Sequence, residues 1–309
     1  MANLKAIYSG STIGLFNYLI MSDLSIIILT FNESVHIKRL LSKISGLGVP
    51  VFIVDSGSTD DTVQIAEAHG AIVKTNPFEN HPKQWDFALK NCPITTPWIV
   101  GLDADQYPSD ELYQKLKSFS DATIPADVNG IYFNRHNYFQ GERLKFGGYR
   151  NFYMLKMFRR TEGWSDLNEN MDHRFIVNGK TILWKEVLIE DNLKEHDIDF
   201  WLHKQIRYSN LTAQEEFQRK RGLRGQTLKP NLLGNPDERK AFLKKIWWNL
   251  PLYIRPMIYF FYRFIIRLGF LDTASGRTFH FLQGFWFRFL VDFKIKELEK
   301  KEKLKQNQS

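Results

Sequence analysis

The sequence predicts an α/β fold, built on a mostly parallel, Rossmann-like sheet and followed by a C-terminal region of amphipathic helices. From residue 24 to about residue 118, short runs of Val, Ile and Leu alternate with helix-length amphipathic segments. This alternation is typical of strand–helix–strand units with right-handed crossovers. Beyond residue 241 the alternation stops, and aromatic and basic residues dominate.

The N-terminal elements follow from local patterns. Short β-branched runs, of the kind buried in parallel sheets, predict strands at 25–30, 51–54, 71–75 and 98–102. Apolar residues at helical spacing predict helices at 33–47, 60–69, 82–91 and 109–118. Asn32 is expected to cap the first helix, and Ser58 or Thr59 the second.

The rest of the chain is less regular. Strand patterns occur at 130–134, 154–159, 175–177 and 180–185, before a charged helix at 199–222. We therefore predict an N-terminal extension (1–21), an α/β domain (22–224, in halves 22–110 and 111–224), a linker (225–240), a basic aromatic helical region (241–296) and a charged tail (297–309).

Composition narrows the classes of function. The 309 residues include 42 Lys and Arg against 34 Asp and Glu, a net charge of +8, and 15% are aromatic. A basic, aromatic chain favours nucleic acid, anionic membrane or phosphorylated ligands as partners. The single cysteine, Cys92, excludes a disulfide framework and fits a reducing compartment. Every apolar run is too short or too polar to predict a membrane span.

Most of the excess charge lies near the C-terminus. Residues 244–296 contain nine Lys or Arg against two acids. On helices, one polar stripe would hold Arg255, Tyr259, Arg263 and Arg267, and a later one His280, Gly284, Arg288, Asp292 and Lys296. We expect these cations to meet anionic headgroups at a membrane surface, with packing on the α/β domain as the alternative. No nucleic-acid recognition pattern occurs, so nucleic acid is not expected as a partner.

Polar residues follow three of the predicted strands. They form the sets Thr30-Phe-Asn32-Glu33, Asp55-Ser-Gly-Ser-Thr-Asp60 and Asp103-Ala-Asp105. Ligands of open parallel sheets bind beyond the carboxyl ends of the strands. Side chains two residues apart in an extended segment point the same way, so Asp103 and Asp105 could share one cation. Oxygen ligands favour Mg²⁺ or Mn²⁺.

Together these motifs resemble a known family. Residues 24–110 resemble the N-terminal half of the family 2 glycosyltransferases, which have the GT-A fold. The Lys83-Gln84-Trp-Asp86 helix completes the match. A Lys-Met-Phe-Arg-Arg strand at 156–160 and a Gly-Phe-Leu-Asp segment at 269–272 extend the resemblance to the subgroup that builds bacterial lipopolysaccharide core and surface polysaccharides.

The resemblance implies roles for single residues. The base pocket would be lined by Thr30, Asn32 and Glu33, and Asp55 would hold the base or ribose. Lys83 and Gln84 would contact the nucleotide or its phosphates. Asp103 would touch ribose and metal, and Asp105 the metal. The local alternatives are that Asn32 and Asp60 only cap helices and that Lys83 is a solvated charge.

The resemblance also implies inversion at the sugar carbon, which needs a general base. The family has Glu-Asp or His-Glu in this region, whereas this chain has Asp166-Leu-Asn-Glu169-Asn-Met-Asp172-His173. We favour Asp172 as the base, then Glu169, with Glu190-Asp191 as a further candidate. These acids could instead pair with Arg159, Arg160 or Arg174. His196 is either near the metal or a surface histidine.

The expected protein is a metal-dependent, inverting glycosyltransferase at the cytoplasmic face of the bacterial inner membrane. Its donor would be a nucleotide sugar, most simply a UDP-sugar, and its acceptor a lipid-anchored saccharide. A polyprenyl phosphate acceptor and an inactive membrane scaffold are the alternatives. A nucleotidyltransferase would need a Gly-rich loop where this chain has Thr30-Phe-Asn-Glu33.

Overall fold

The protein is described by a computed structural model that covers residues 22–169, 173–223, 225 and 227–307. Within these residues, one mixed sheet holds nine strands. Helices cover the sheet, and further helices follow it. This confirms the expected mostly parallel α/β fold of the GT-A type with C-terminal helices.

The N-terminal half is parallel throughout. Its elements are β1 (Leu24–Thr30), α1 (Ser34–Ile44), β2 (Val51–Asp55), α2 (Thr62–Ala68), β3 (Ile72–Thr75), α3 (His81–Asn91) and β4 (Trp98–Asp103). β1 pairs in parallel with both β2 and β4, and β2 with β3. The predicted strands and helices are all present, with ends that differ by a few residues.

The second half mixes strand directions. It comprises β5 (Gln106–Pro108), α4 (Asp110–Lys117), β6 (Val128–Phe139), β7 (Glu142–Arg143), β8 (Phe152–Arg159), β9 (Gly163–Ser165), β10 (Phe175–Val177) and β11 (Lys180–Glu190). The strand order across the sheet is β3-β2-β1-β4-β8-β6-β11-β5, with β7 paired to β6. β8 therefore lies between β4 and β6, and it is antiparallel to both. This order brings residues from β8 and β11 close to the end of β4, where the predicted site lies.

Strand β1 shows why the sheet is the centre of the fold. All seven of its residues are buried. Ile26 and Ile28 pack into a core with α1 and α4, whereas Ile27 and Leu29 pack into a second core with α3. Burial on both faces is the arrangement that a continuous apolar run predicts.

The C-terminal region is helical. Its elements are α5 (Ile198–Lys220), α6 (Pro236–Asn249), α7 (Ile254–Phe261) with a π-helical turn (Tyr262–Ile266), α8 (Ala274–Phe281) with a second π-helical turn (Leu282–Trp286), and α9 (Phe287–Gln306). α6 starts inside the predicted linker because Asn235 and Glu238 form a capping box there. α9 continues through most of the predicted tail. None of the helices that the structure describes is long and apolar enough to cross a bilayer.

Part of the predicted basic stripe packs on the protein, which was the alternative to contact with headgroups. Arg255 is 2% exposed and Asp292 is fully buried, and the two side chains are paired. Arg263 packs over the Tyr149 ring at 4.3 Å and donates to the Gly147 carbonyl oxygen. Arg255 and Arg263 of the basic stripe therefore face the protein, whereas Arg267 and apolar residues such as Phe261 and Phe293 are exposed.

Candidate active site

The loops after β1 and β2 are tied together by Asn32. Asn32 adopts a left-handed conformation (φ 54°), which asparagine tolerates better than most residues. Its Oδ1 accepts from the Thr59 N–H at 2.8 Å, and its own N–H donates to Ser58 Oγ at 2.8 Å. The predicted cap by Asn32 is therefore wrong, since its side chain joins two loops instead.

Asp55 is enclosed by its own turn. Its carboxylate accepts from the backbone N–H groups of Gly57 and Ser58, at 2.9 and 2.7 Å, and from the hydroxyls of Ser58 and Thr30. Asp55 is 1% exposed and Thr30 is 3% exposed. Their observed contacts shape the turn that closes this side of the cleft.

Asp60 accepts backbone hydrogen bonds at the starts of both neighbouring helices, α1 and α2. Its Oδ2 accepts from the Ser34 N–H at the start of α1, and its Oδ1 from the Thr62 N–H at the start of α2, each at 3.1 Å. Neither Ser58 nor Thr59 caps α2 as predicted. Burial opposes ionisation, but the hydrogen bonds from Thr62 and Ser34 lower the pKa of Asp60 to about 2.

Glu33 connects the β1 loop to the segment after β11. Its Oε2 pairs with His36 Nδ1 and, at 3.0 Å, with Lys194 Nζ. The buried His36 accepts the Leu193 N–H through Nε2 at 2.8 Å. Glu33, a candidate for the base pocket, is therefore held in place by its neighbour His36 and by Lys194 from the segment after β11.

The two α3 candidates differ in environment. Lys83 is an exposed side chain that pairs with Glu79 one turn away. Gln84 is buried, donates to Ser56 Oγ at 3.1 Å and accepts from Asn76 Nδ2 at 2.7 Å. Gln84 thus braces the loops after β2 and β3, while Lys83 stays available at the surface.

Asp103 ends β4 between two basic groups. Lys156 Nζ donates to its Oδ2 at 2.9 Å, and His81 Nε2 lies 3.4 Å from its Oδ1. Lys156 comes from β8 and is 2% exposed. Burial raises the pKa of Asp103, but Lys156 and His81 more than offset this and hold the pKa well below its usual range.

Asp105 has the opposite electrostatic environment. Burial, and then the negative charge of Asp103, raise the pKa of the Asp105 carboxyl. Asn192 Nδ2 donates to its Oδ2 at 3.0 Å. The two acids of the motif are therefore close enough to repel each other, and a cation would relieve that repulsion. Among the described residues, no group of three or more His, Cys, Asp or Glu is arranged to hold a metal ion.

The end of β11 faces the same motif. Gln106 accepts the Asp103 N–H at 3.1 Å through Oε1 and donates to Glu190 at 2.6 Å. Asp191 pairs with Arg39 at 2.8 Å and with His196 at 3.0 Å. Both Glu190 and Asp191 are thus held in hydrogen bonds, and His196 contacts Asp191.

Glu169 lies in a buried ion-pair network. It pairs with Arg174 and, at 3.4 Å, with Arg219, and it is 3% exposed. Arg174 also binds Asp166 at 2.9 Å. Burial is the main cause that raises the pKa of Glu169. The expected pairing of these acids with Arg174 is present, and the other base candidate, Asp172, lies outside the described residues.

His173 brings this loop to the metal motif. Its ring stacks on Trp85 with centroids 5.3 Å apart, and lies 5.3 Å from the His81 ring. Its buried Nε2 has no hydrogen-bond partner within the described structure. Burial, with the nearby charges of His81 and Lys156, holds the pKa of His173 well below its usual value.

Sequence reasoning missed the basic and aromatic groups around Asp103. Lys156 was noticed only as part of a family-like strand, and His81 was not considered. A lysine inside an otherwise apolar strand, such as Lys156 between Leu155 and Met157, is a signal of a buried partner. His81 precedes Lys83 at the start of α3, where its role depends on which strand end lies opposite.

The fold and this site define a class: an α/β protein with two acids at the end of a buried strand. Residues 25–183, just over half of the chain, match the family described as glycosyl transferase family 2. The chain belongs to glycosyl transferase family 2.

Several relatives share part of this domain. An uncharacterized glycosyltransferase of Rickettsia felis is 38% identical over 97 residues, 31% of this chain and 34% of that protein. The lipopolysaccharide core biosynthesis glycosyltransferase LpsC of Rhizobium meliloti is 26% identical over 161 residues, 50% of this chain and 58% of that one. The chain thus spans about a third of the Rickettsia relative.

Solved structures are more distant. A mannosyltransferase from Pyrobaculum calidifontis, in complex with GDP-Man and Mn²⁺, is 15% identical with a TM-score of 0.46, covering 91% of this chain and 94% of that one. Glucosyl-3-phosphoglycerate synthase from Mycobacterium tuberculosis, in complex with Mn²⁺ and UDP, is 23% identical with a TM-score of 0.30, covering 42% and 50%.

Proposed function

We propose that this chain transfers a sugar, with inversion, from a nucleotide-sugar donor to a hydroxyl of a lipid-anchored saccharide. The observation that carries the proposal is the Asp103–Asp105 pair at the end of β4, in a chain of glycosyl transferase family 2. The relative LpsC, named for lipopolysaccharide core biosynthesis, supports a saccharide acceptor on lipid. A UDP-sugar is the donor we favour.

The two acids fit a hard divalent cation. Asp105 carries a charge that burial and Asp103 make unfavourable, and oxygen donors are the ligands that Mg²⁺ and Mn²⁺ prefer. Asp103 and Asp105 would hold the ion, with Lys156 fixing one Asp103 oxygen. When bound, the ion supplies charge compensation for a leaving diphosphate.

The donor nucleotide would lie across the loops that follow β1 and β2. In this proposal Asn32 and Glu33 border the base, and Thr30 and Asp55 keep the turn in the required shape. Gln84 supports that turn through its hydrogen bond to Ser56. Lys83, exposed at the start of α3, is placed to pair with donor phosphates when it leaves Glu79.

Asp172 remains our proposed general base. It would take the proton of the acceptor hydroxyl as that oxygen attacks the sugar carbon and the nucleoside diphosphate leaves. Its chain neighbour His173 lies beside His81, which contacts Asp103, and this proximity supports the assignment. Glu169 is less suited because Arg174 and Arg219 hold it in a buried network.

We place the enzyme at the cytoplasmic face of the inner membrane, bound peripherally. Nucleotide sugars are cytoplasmic metabolites in this scheme, and the acceptor is fixed in the lipid. In this proposal the C-terminal helices supply the surface that contacts the lipid.

Donor turnover tests the proposal. Release of the nucleoside diphosphate from a panel of nucleotide sugars should require Mn²⁺ or Mg²⁺ and stop with EDTA. Asp103→Asn should lower the rate by about 10²-fold or more, the range seen when one electrostatic group of an active site is removed. A chain that folds normally but never turns over or binds a nucleotide sugar would contradict the proposal.

A matched pair of variants tests the base. Asp172→Asn should abolish transfer to the acceptor while the melting temperature stays the same. Glu169→Gln should lower the melting temperature, because it leaves buried arginine charge without its partner. Full transfer activity in Asp172→Asn would rule out the base assignment.

A further inference from the structure

The C-terminal helices carry a continuous apolar surface. Aromatic rings connect α7 to α8 and α9: Phe260 lies 6.0 Å from Phe281, and Phe285 lies 5.9 Å from Phe289. Around this row the side chains face outward. We define the apolar face by six residues, each between 49% and 61% exposed: Met257, Phe261, Ile266, Leu271, Phe281 and Phe293.

Within residues 244–296 every exposed charge is basic, and the first exposed acid beyond them is Glu297. Residues 244–296 contain only two acids, Asp272 and Asp292, and both are buried. Asp292 pairs with Arg255 and Asp272 with His280 Nε2 at 2.8 Å. The arginines next to the short turn Gly269–Leu271, Arg267 and Arg277, are exposed.

We propose that the apolar face is a docking surface for a bilayer with anionic headgroups. Exposed aromatic and aliphatic side chains gain free energy by entering the boundary between headgroups and acyl chains. Arg267 and Arg277 would then meet the negative surface potential of the lipid. An exposed apolar patch of this kind marks an interaction site in a folded protein.

The charges argue against a second copy as the occupant. A symmetric dimer places the same patch against itself. Arg267 and Arg277 of two copies would then approach each other, and residues 244–296 hold no exposed acid to compensate them, the next in the chain being Glu297. An anionic lipid surface removes this repulsion.

Asp272 connects the face to the loop that lies beside His196. Its carboxylate accepts from the Lys145 and Phe146 N–H groups at 2.9 and 3.2 Å. The same loop reaches Gly141, where an added Cβ would lie 3.5 Å from the His196 ring. His196 in turn contacts Asp191. A docked lipid acceptor would therefore approach from this side, an orientation that rests on the proposed function.

Vesicle flotation of the full chain tests the docking surface. Vesicles of phosphatidylcholine with phosphatidylglycerol should bind the chain more strongly than phosphatidylcholine alone. The double variant Phe261→Gln/Leu271→Gln should lower the bound fraction on both by about tenfold or more. Arg267→Gln/Arg277→Gln should remove the preference for the anionic vesicles, since each arginine near a charged surface contributes severalfold in affinity.

Leu233→Gln is the matched control. Leu233 is 94% exposed and lies outside the apolar face, so vesicle binding should not change. Circular dichroism and a melting curve show that each variant folds, and the docking variants should keep metal-dependent donor turnover. If the wild type bound vesicles but showed no donor turnover, the proposed function would be refuted and the docking surface would be supported.

Two results would overturn the docking surface. The first is absence of vesicle binding by the full chain. The second is a dimer in sedimentation analysis that Phe261→Gln/Leu271→Gln dissociates, because a second copy would then be the occupant.

Discussion

The parallel half of the sheet and the C-terminal helices bury opposite kinds of residue. In the sheet, β1 is apolar on both faces, and the polar groups gather where the strands end. In the C-terminal helices, Arg255 and Asp292 are buried while Phe261 and Leu271 face outward. The comparison shows that an amphipathic helix sequence defines two faces without defining which one points inward.

The physical difference lies in what each partner offers. A strand flanked by other strands meets apolar helices on both sides, so a polar residue there is costly. The C-terminal helices instead meet a surface with acids such as Glu216, which binds Arg255 at 2.7 Å. Arginine can then be buried with its charge satisfied and its stem packed on Trp247, whose ring lies 4.6 Å away.

The largest expected effect comes from breaking the buried ion pair between Arg255 and Asp292. Asp292→Ala removes one of the two carboxylate partners of Arg255 and the acceptor of the Tyr253 N–H, which lies at 2.7 Å. We expect a loss of up to about 3–5 kcal/mol in the free energy of unfolding, because a buried charge keeps only Glu216 as its partner. Urea unfolding followed by circular dichroism measures it.

The control for that variant is an exposed ion pair. Lys180→Ala breaks the Lys180–Asp127 pair at the surface, and we expect no measurable change in stability. If Asp292→Ala and Lys180→Ala had equal, small effects, the basic stripe would not be the buried one.

A smaller effect is expected inside the parallel half. In Gly101→Ala on β4, the added Cβ would lie 2.5 Å from Phe175 Cζ and 3.1 Å from Trp85. Overpacking of this kind costs about 1–3 kcal/mol. Gly225→Ala is the control, since no heavy atom lies within 4 Å of its added Cβ. Equal melting temperatures for both variants would contradict the close packing of β10 on β4.

The smallest effect is a pH dependence at the loops of the cleft. The pKa of Asp60 is lowered from 3.8 to about 2, so the charged form stabilises the fold by up to about 2 kcal/mol. That stability is complete above pH 4 and is lost as the pH falls towards 2. Asp60→Asn should therefore differ most from the wild type at neutral pH in thermal unfolding.

A constant difference between Asp60→Asn and the wild type from pH 7 to pH 2 would contradict this role. The loops would then be held by their other contacts, such as the hydrogen bonds of Asn32 with Ser58 and Thr59.

Part of the site could be predicted because it depends on residues that are neighbours in the sequence. Asp103 and Asp105 directly follow an apolar strand, and Asn32 and Asp55 follow two others. The contacts of Asp55 and Gln84 were not predictable, since they involve hydroxyl and amide groups whose direction depends on the turn. Glu169 could be named as a candidate, but its burial between Arg174 and Arg219 depends on how α5 packs against this loop.

The amino-acid order alone was enough to locate the strands, the acidic pair and the family, because burial on both faces of a strand and short motifs are encoded by neighbouring residues. The tertiary structure decided the Lys156–Asp103 pair, which joins residues 53 positions apart, through the placement of β8 beside β4. It also decided which face of the C-terminal helices is buried, because that choice depends on partners far apart in the sequence: Glu216 of α5 and Asp292 of α9 for Arg255, and Gly147 and Tyr149 for Arg263.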